Sequence, residues 1–164
     1  MPSRLTNMGF MTFRSNIADD LQRCLAWSTA LAAPQRPTSV TLLLAILEVG
    51  EGSTAQHVMT DAGVTTQALE PFEVAARDAA AGTRRGLKRL VRLPLGLSYG
   101  GDGDRAIRLA AELCIMDKRH VITTDDLFLA LVMRDRAAQA ALISLGTDPS
   151  AMRSQVARSR TEQE

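Results

Sequence analysis

One short stretch of sequence occurs twice in this chain, beginning at residue 39 and again at residue 124, an offset of 85 residues. The first copy reads SVTLLLAI and the second reads TDDLFLAL. Upstream of each, mostly apolar residues recur at positions i, i+3, i+4 and i+7, which is the spacing of one helix face. The chain therefore contains a duplicated helical unit. The paired positions are Leu21, Cys24, Leu25 and Ser28 in the first copy and Ala106, Leu109, Ala110 and Leu113 in the second.

Each copy is predicted to fold into four helices. Downstream of the repeated stretch the offset shortens to 83, because one loop of the second copy is two residues shorter. Aromatic residues make up only 4% of the chain, and small aliphatic side chains suit closely packed helices, so the predicted fold class is all-α. The predicted helices cover about 16–32, 39–49, 53–62 and 66–81, and then about 102–117, 124–134, 137–145 and 149–159.

Residues at the predicted helix ends support this division. A glycine follows the third helix of each copy, where a left-handed residue needs no Cβ. Hydroxyl or carboxylate side chains precede the second and fourth helices and can accept hydrogen bonds from the free N–H groups of the first turn. The glycines are Gly63 and Gly146, and the capping residues are Thr38, Ser39, Thr65, Thr123, Thr124 and Asp148.

A basic, glycine-rich segment separates the two copies. Its cations alternate with Leu87, Leu90 and Val91, which favours the solvated face of an amphipathic segment; contact with phosphates or with an acidic partner is the alternative. The cations are Arg84, Arg85, Lys88, Arg89 and Arg92. The predicted units are a first repeat at 11–81, a linker at 82–101, a second repeat at 102–160 and a frayed tail at 161–164.

Charge, hydropathy and cysteine spacing exclude several classes of protein. The net charge of +1 produces no global field that would draw the chain to nucleic acid or to an anionic membrane. The longest apolar stretch, residues 40–47, is too short to cross a bilayer, so we expect a cytoplasmic protein. Cys24 and Cys114 lie far apart among apolar residues, which predicts buried thiols and no metal site. His57 and His120 are isolated and are expected to be surface or helix-capping residues.

The sequence contains none of the common catalytic or cofactor motifs. It has no GxxxxGK[ST] run to cradle nucleotide phosphates, no GxSxG and no HExxH. The glycines of GGDG at 100–103 follow a loop rather than a strand, so they do not indicate a dinucleotide site. We therefore expect a protein that is not an enzyme and that has no cofactor.

The duplicated unit resembles the Clp N-terminal domain, the tandem repeat at the front of the ClpA, ClpB and ClpC unfoldases. In that family each copy carries a stretch like GTEHILLGL, then a short loop, another helix and a Leu-Gly turn. Here residues 38–46 read TSVTLLLAI, residues 123–131 read TTDDLFLAL, and EVGEG at 48–52 is similar to the family's REGEG. The resemblance covers about 11–160. It implies a pseudo-twofold eight-helix bundle that binds substrates and adaptors, here without the ATPase.

The resemblance also implies a ligand site at the start of the second helix. Some family members use a Thr-Glu pair there to recognise phosphoarginine, because a carboxylate matches the guanidinium while hydroxyl and helix N–H groups favour the phosphate. Thr124 and Asp125 preserve this pair, with Asp126 beside them. In the first copy Ser39 keeps the hydroxyl, and Val40 removes the charge. A capped helix whose acids complement the helix dipole is the alternative interpretation.

Three apolar residues precede the first helices of the two copies: Met11, Phe13 and Tyr99. They are expected to act as hydrophobic staples that close the bundle; the alternative is an exposed apolar groove that receives peptides or adaptors. The partners that the resemblance implies are Clp unfoldase or protease components, adaptors, client proteins and phosphoarginine-bearing peptides, with no membrane. A nucleic-acid binder acting through the linker and a structural subunit of a protease core are the competing functions.

Overall fold

The computed structural model describes residues 17–86 and 102–162, and these residues form eight helices. Within the described ranges, the only extended pairing is an isolated parallel bridge between Ile17 and Ile122. The all-α prediction is therefore confirmed. The helices are α1 (Asp19–Ala32), α2 (Ser39–Val49), α3 (Thr54–Asp61), α4 (Thr66–Gly86), α5 (Asp102–Met116), α6 (Thr124–Arg134), α7 (Arg136–Ser144) and α8 (Pro149–Thr161).

The helix bounds depart most from the predicted ones at α1 and α4. Helix α1 begins at Asp19 rather than at about 16, because Ile17 is extended and pairs with Ile122. Helix α4 was predicted to end at about 81 but continues through GTRRG to Gly86, a stretch in which only the two arginines are strong helix formers. Its last turns therefore include Arg84 and Arg85, so the prediction that both belong to the linker is wrong. Neither α4 nor any other described helix combines the length and hydropathy needed to span a bilayer.

Polar side chains cap the second and fourth helices of each copy, but Ser39 and Thr124, which were predicted to take part, are the first residues of α2 and α6 and do not cap them. At α2 and α6 the cap is a capping box, in which the first residue and the residue three positions later each accept from the other's backbone N–H. Gly63 and Gly146 have φ angles of 78° and 79°, the left-handed conformation expected after the third helices. The capping residues are Thr38, Thr65, Thr123 and Asp148.

Helices α2 and α6 lie at the centre of the core and pack against each other. Residues 39–46 of α2 are all buried, and so are residues 126–132 of α6. A helix that is covered on every side must be surrounded by other helices, and the remaining six supply that cover. Cys24 of α1 and Cys114 of α5 are free thiols buried in this surround, as predicted.

The two copies interleave instead of packing as separate units. Helix α1 contacts α6 as well as its own α2, and α5 contacts α2 as well as its own α6. In the same way α3 packs on α6 and α8, while α7 packs on α2 and α4. Each of these contacts between the copies therefore occurs twice, once in each direction, which is a pseudo-twofold arrangement. The buried apolar side chains of both copies consequently form one core.

The same pseudo-symmetry holds where the chain enters the first helix of each copy. The Ala18 N–H donates to the Ile122 carbonyl at 2.9 Å, just before α6 begins. Their counterparts 85 residues away are Gly103 and Pro37, which also lie in contact. A Cβ at Gly103 would stand 2.8 Å from the Pro37 carbonyl oxygen, so this close approach requires glycine.

A shared core predicts that damage in one copy unfolds the other. Leu42 and Leu127 are counterparts in α2 and α6, and both are completely buried. We expect Leu42→Ala and Leu127→Ala each to lower the free energy of unfolding by about 2–5 kcal/mol. Trp27, the chain's single tryptophan, lies in the first copy and packs partly against the core. Its fluorescence should therefore report the Leu127→Ala shift at the same denaturant midpoint as far-ultraviolet circular dichroism.

The matched control is Ile143→Ala, which truncates a side chain that is 61% exposed. It should change the free energy of unfolding by less than about 0.5 kcal/mol. If Leu127→Ala moved the circular dichroism transition and left the Trp27 transition in place, the two copies would be independent units.

Candidate functional site

The start of α6 meets α1 and α3 of the other copy through two carboxylates. Asp20 of α1 accepts a hydrogen bond from the Thr124 backbone N–H at 3.3 Å. Asp125 of α6 reaches in the opposite direction and accepts from the Ala55 N–H, in the first turn of α3, at 2.7 Å. The acid predicted to bind a guanidinium is thus also the side chain that caps a helix of the first copy.

Burial dominates the electrostatics of Asp125. It raises the pKa of this carboxyl above the ordinary value of 3.8, since burial disfavours the charged form. Hydrogen bonds from Ala55 and Thr54 act in the opposite direction, and the nearby Asp20 adds a smaller upward contribution. The side chain is half-buried, so part of it is open to solvent.

Asp126 is fully buried and paired with cations. It accepts from the Thr123 N–H at 2.9 Å, from Arg119 Nη1 at 3.0 Å and from Arg160 Nη2 at 2.8 Å, and Arg119 Nη2 makes a further contact with it. Asp117 bridges the same two arginines at 3.2 Å each. This network ties the start of α6 to the end of α8, so the carboxylate of Asp126 is occupied within the fold.

Thr124 lies in the interior. Its side chain is completely buried, with Oγ1 3.9 Å from the Sγ of Cys24. The thiol of Cys24 also donates to the Ala45 carbonyl at 3.6 Å, and burial raises its pKa to about 11. Of the three residues predicted at the start of α6, only Asp125 is partly exposed.

The start of α2 has a different set of partners. Ser39 is 1% exposed, and its Oγ is the one buried side-chain oxygen or nitrogen in the described ranges that lacks a hydrogen-bond partner. Thr41, the counterpart of Asp126, donates to Oε1 of Glu73 at 3.1 Å. Glu73 is buried on α4 and pairs with Arg77 at 2.7 Å. Sequence reasoning missed Glu73, although its spacing of four residues from Arg77 is an ion-pair signal.

A cleft lies where α5, the end of α6 and the start of α7 meet. Its volume is about 480 Å³, and three exposed arginines stand at its edge. Arg134 and Arg136 are separated by one residue of sequence, but their proximity to Arg105 of α5 arises only from the fold, so the sequence did not indicate the cleft. The lining residues are Arg105, Ala106, Ala130, Arg134, Asp135, Arg136 and Ala137.

Several predicted site residues cannot be placed. Met11, Phe13 and Tyr99 lie outside the described residues, and so do three cations of the linker, Lys88, Arg89 and Arg92. Their roles stay predictions. His57 and His120 are exposed. In the parts of the chain that the structure describes, no group of three or more histidine, cysteine or acidic residues could hold a metal ion.

The eight interleaved helices of residues 17–86 and 102–162 have the Clp N-terminal-domain fold. The chain matches the crystal structure of the N-terminal domain of ClpD, a caseinolytic-protease-associated chaperone from Arabidopsis thaliana, with a TM-score of 0.61. The match covers 90% of this chain and 96% of that domain at 14% sequence identity, so the similarity is one of fold. No family model and no curated protein matches the chain.

The contact between Asp125 and α3 leads to a pH-dependent prediction. Because the pKa of Asp125 is raised in the folded state, the folded protein binds the proton more tightly than the unfolded chain. The ionised Asp125 therefore lowers the free energy of unfolding at pH values above its raised pKa. This loss disappears at pH values below 3.8, where the carboxyl is protonated in both states. We expect Asp125→Asn to be at least as stable as the wild type at neutral pH, with a difference that shrinks as the pH falls towards 3.8 in urea unfolding.

Asp125→Ala separates the acceptor from the charge. Both variants are neutral, but alanine leaves the N–H of Ala55 without its acceptor. The alanine variant should be less stable than the asparagine variant by about 0.5–2 kcal/mol, the usual cost of a lost helix cap. Equal stability of the two variants would mean that the contact with α3 contributes nothing.

Proposed function

We propose that this chain is a protein-interaction module of the Clp protease and chaperone system, which binds clients or adaptors and does not itself catalyse a reaction. The observation that carries the proposal is the structural match, which extends over nearly all of this chain and of a chaperone's N-terminal domain. The absence of a phosphate-binding loop from these 164 residues is consistent with a binding role.

The partly exposed acid at the start of α6 supports a phosphoarginine site in the second copy. Asp125 already accepts from Ala55 and Thr54, but it is only half-buried, so its carboxylate can still pair with a guanidinium, and the positive end of the α6 dipole favours a phosphate. In the first copy the equivalent residue is Val40, which is buried and uncharged. We therefore assign at most one such site to each chain, and it binds weakly because the acid is already engaged.

Calorimetric titration with phosphoarginine and with an arginine-phosphorylated peptide tests this site. Asp125→Asn is the informative variant, because it keeps the acceptor for Ala55 and removes only the charge. We expect it to weaken binding at least about tenfold, since a charge-assisted pair becomes a neutral hydrogen bond. Asp148→Asn is the matched control, as it makes the same change at the exposed cap of α8 and should bind like the wild type.

Equal binding by wild type and Asp125→Asn would remove Asp125 from the site. The wider proposal has its own test, in which the tagged chain is cross-linked in native lysate beside an unrelated helical protein of the same size. Clp subunits, adaptors or their clients should be enriched on the chain. Recovery of none of them would contradict the proposed function even if phosphoarginine bound.

A further inference from the structure

The arginine-lined cleft between α5, α6 and α7 carries positive charges that are not paired with acids of the described residues. Arg105, Arg134 and Arg136 are all exposed, and none of them forms an ion pair with another described residue. The only acid in the lining, Asp135, is 9% exposed and accepts from the Ala138 N–H at 2.8 Å as the cap of α7. Three guanidinium groups therefore face solvent around a cleft whose one carboxylate is committed to a helix end.

The first copy shows that the architecture does not require these charges. By the offsets that relate the two copies, Arg105 corresponds to Asp20, Arg134 to Val49 and Arg136 to Ser53. The same positions of the same fold thus accept an acid, an apolar residue and a hydroxyl. Three arginines at one end of the second copy are a property of that copy and not of the helix packing.

The floor of the cleft leaves room for a ligand. It consists of Ala106, Ala130 and Ala137, whose methyl groups are small and apolar. In the first copy the larger Leu21, which is 2% exposed, stands at the position of Ala106. A volume of about 480 Å³ is within the range of pockets that enclose small ligands or a few residues of peptide.

We propose that this cleft binds a short acidic segment of a protein partner, with side-chain carboxylates paired to Arg105, Arg134 and Arg136. A guanidinium matches a carboxylate through two parallel hydrogen bonds, and the alanine floor suits the apolar atoms of a peptide. Nucleic acid fits less well, because its binders neutralise many phosphates along an extended surface, and this chain has a net charge of only +1. This inference rests on the proposed function, because it specifies the chemistry of one partner of the proposed protein-interaction module.

The test measures fluorescence anisotropy of a labelled peptide of alternating aspartate and glutamate, titrated with the full chain. The same peptide with asparagine and glutamine should not bind. Arg134→Gln and Arg136→Gln should each weaken binding at least about tenfold, since each removes a charge-assisted pair. Arg23→Gln is the matched control: it removes the same charge from an exposed position on α1, outside the cleft, and should bind within about twofold of the wild type.

Three results would overturn the proposal. The first is equal weakening by Arg23→Gln and by the cleft variants, which would indicate attraction to net charge alone. The second is tighter binding of a single-stranded oligonucleotide of matched charge. The third is a concentration-dependent dimer that Arg134→Gln dissolves, which would make a second copy the occupant. Failure of the peptide alongside recovery of Clp components from lysate would remove this site and leave the proposed function intact.

Discussion

The contact between α2 and α6 is the constraint on which the rest of the structure depends. Both helices are apolar on nearly every side, so each needs neighbours all around it, and one copy of the unit cannot provide enough of them. Interleaving solves this problem, but it also buries the polar first turns of both helices. The capping boxes, the pairing of Thr41 with Glu73 and the pairing of Asp126 with two arginines satisfy most of the polar groups in those turns; the Ser39 hydroxyl is left without a partner.

The two copies satisfy the same requirement with different chemistry. At the third residue of the central helix, the first copy has a hydroxyl that recruits Glu73, and the second has the carboxylate of Asp126, which recruits Arg119 and Arg160. The acids at the start of α6 therefore bind groups of the fold itself, although the sequence alone suggests that they bind a ligand. Asp125 is the exception in part, because it caps α3 and still reaches solvent. The structure thereby separates a structural acid from a candidate binding acid among adjacent residues.

The features that could be predicted correctly from the sequence depend on residues close together along the chain. Helix positions follow from hydrophobic periodicity, and their ends follow from glycines and hydroxyls that act within one turn, so α6 was predicted with the bounds that the structure has. The contacts that define the site are not local: Asp125 to Ala55 spans 70 residues, and Arg160 to Asp126 spans 34. The cleft brings Arg105 of α5 beside the neighbouring pair Arg134 and Arg136, and nothing in the sequence indicates that proximity. Side chains brought together only by tertiary packing carry no periodic signal.

An interleaved pair of this kind has the geometry of a twofold homodimer whose subunits have been joined into one chain. In a true homodimer every substitution occurs twice, and the two faces must stay identical. Once the subunits share a chain, each position is free to change on one side only. Asp20 in the first copy and Arg105 in the second are such a pair. They give opposite charges to equivalent positions of the two copies. Fusion of this kind lets a protein keep a symmetric scaffold while it presents two different surfaces to its surroundings.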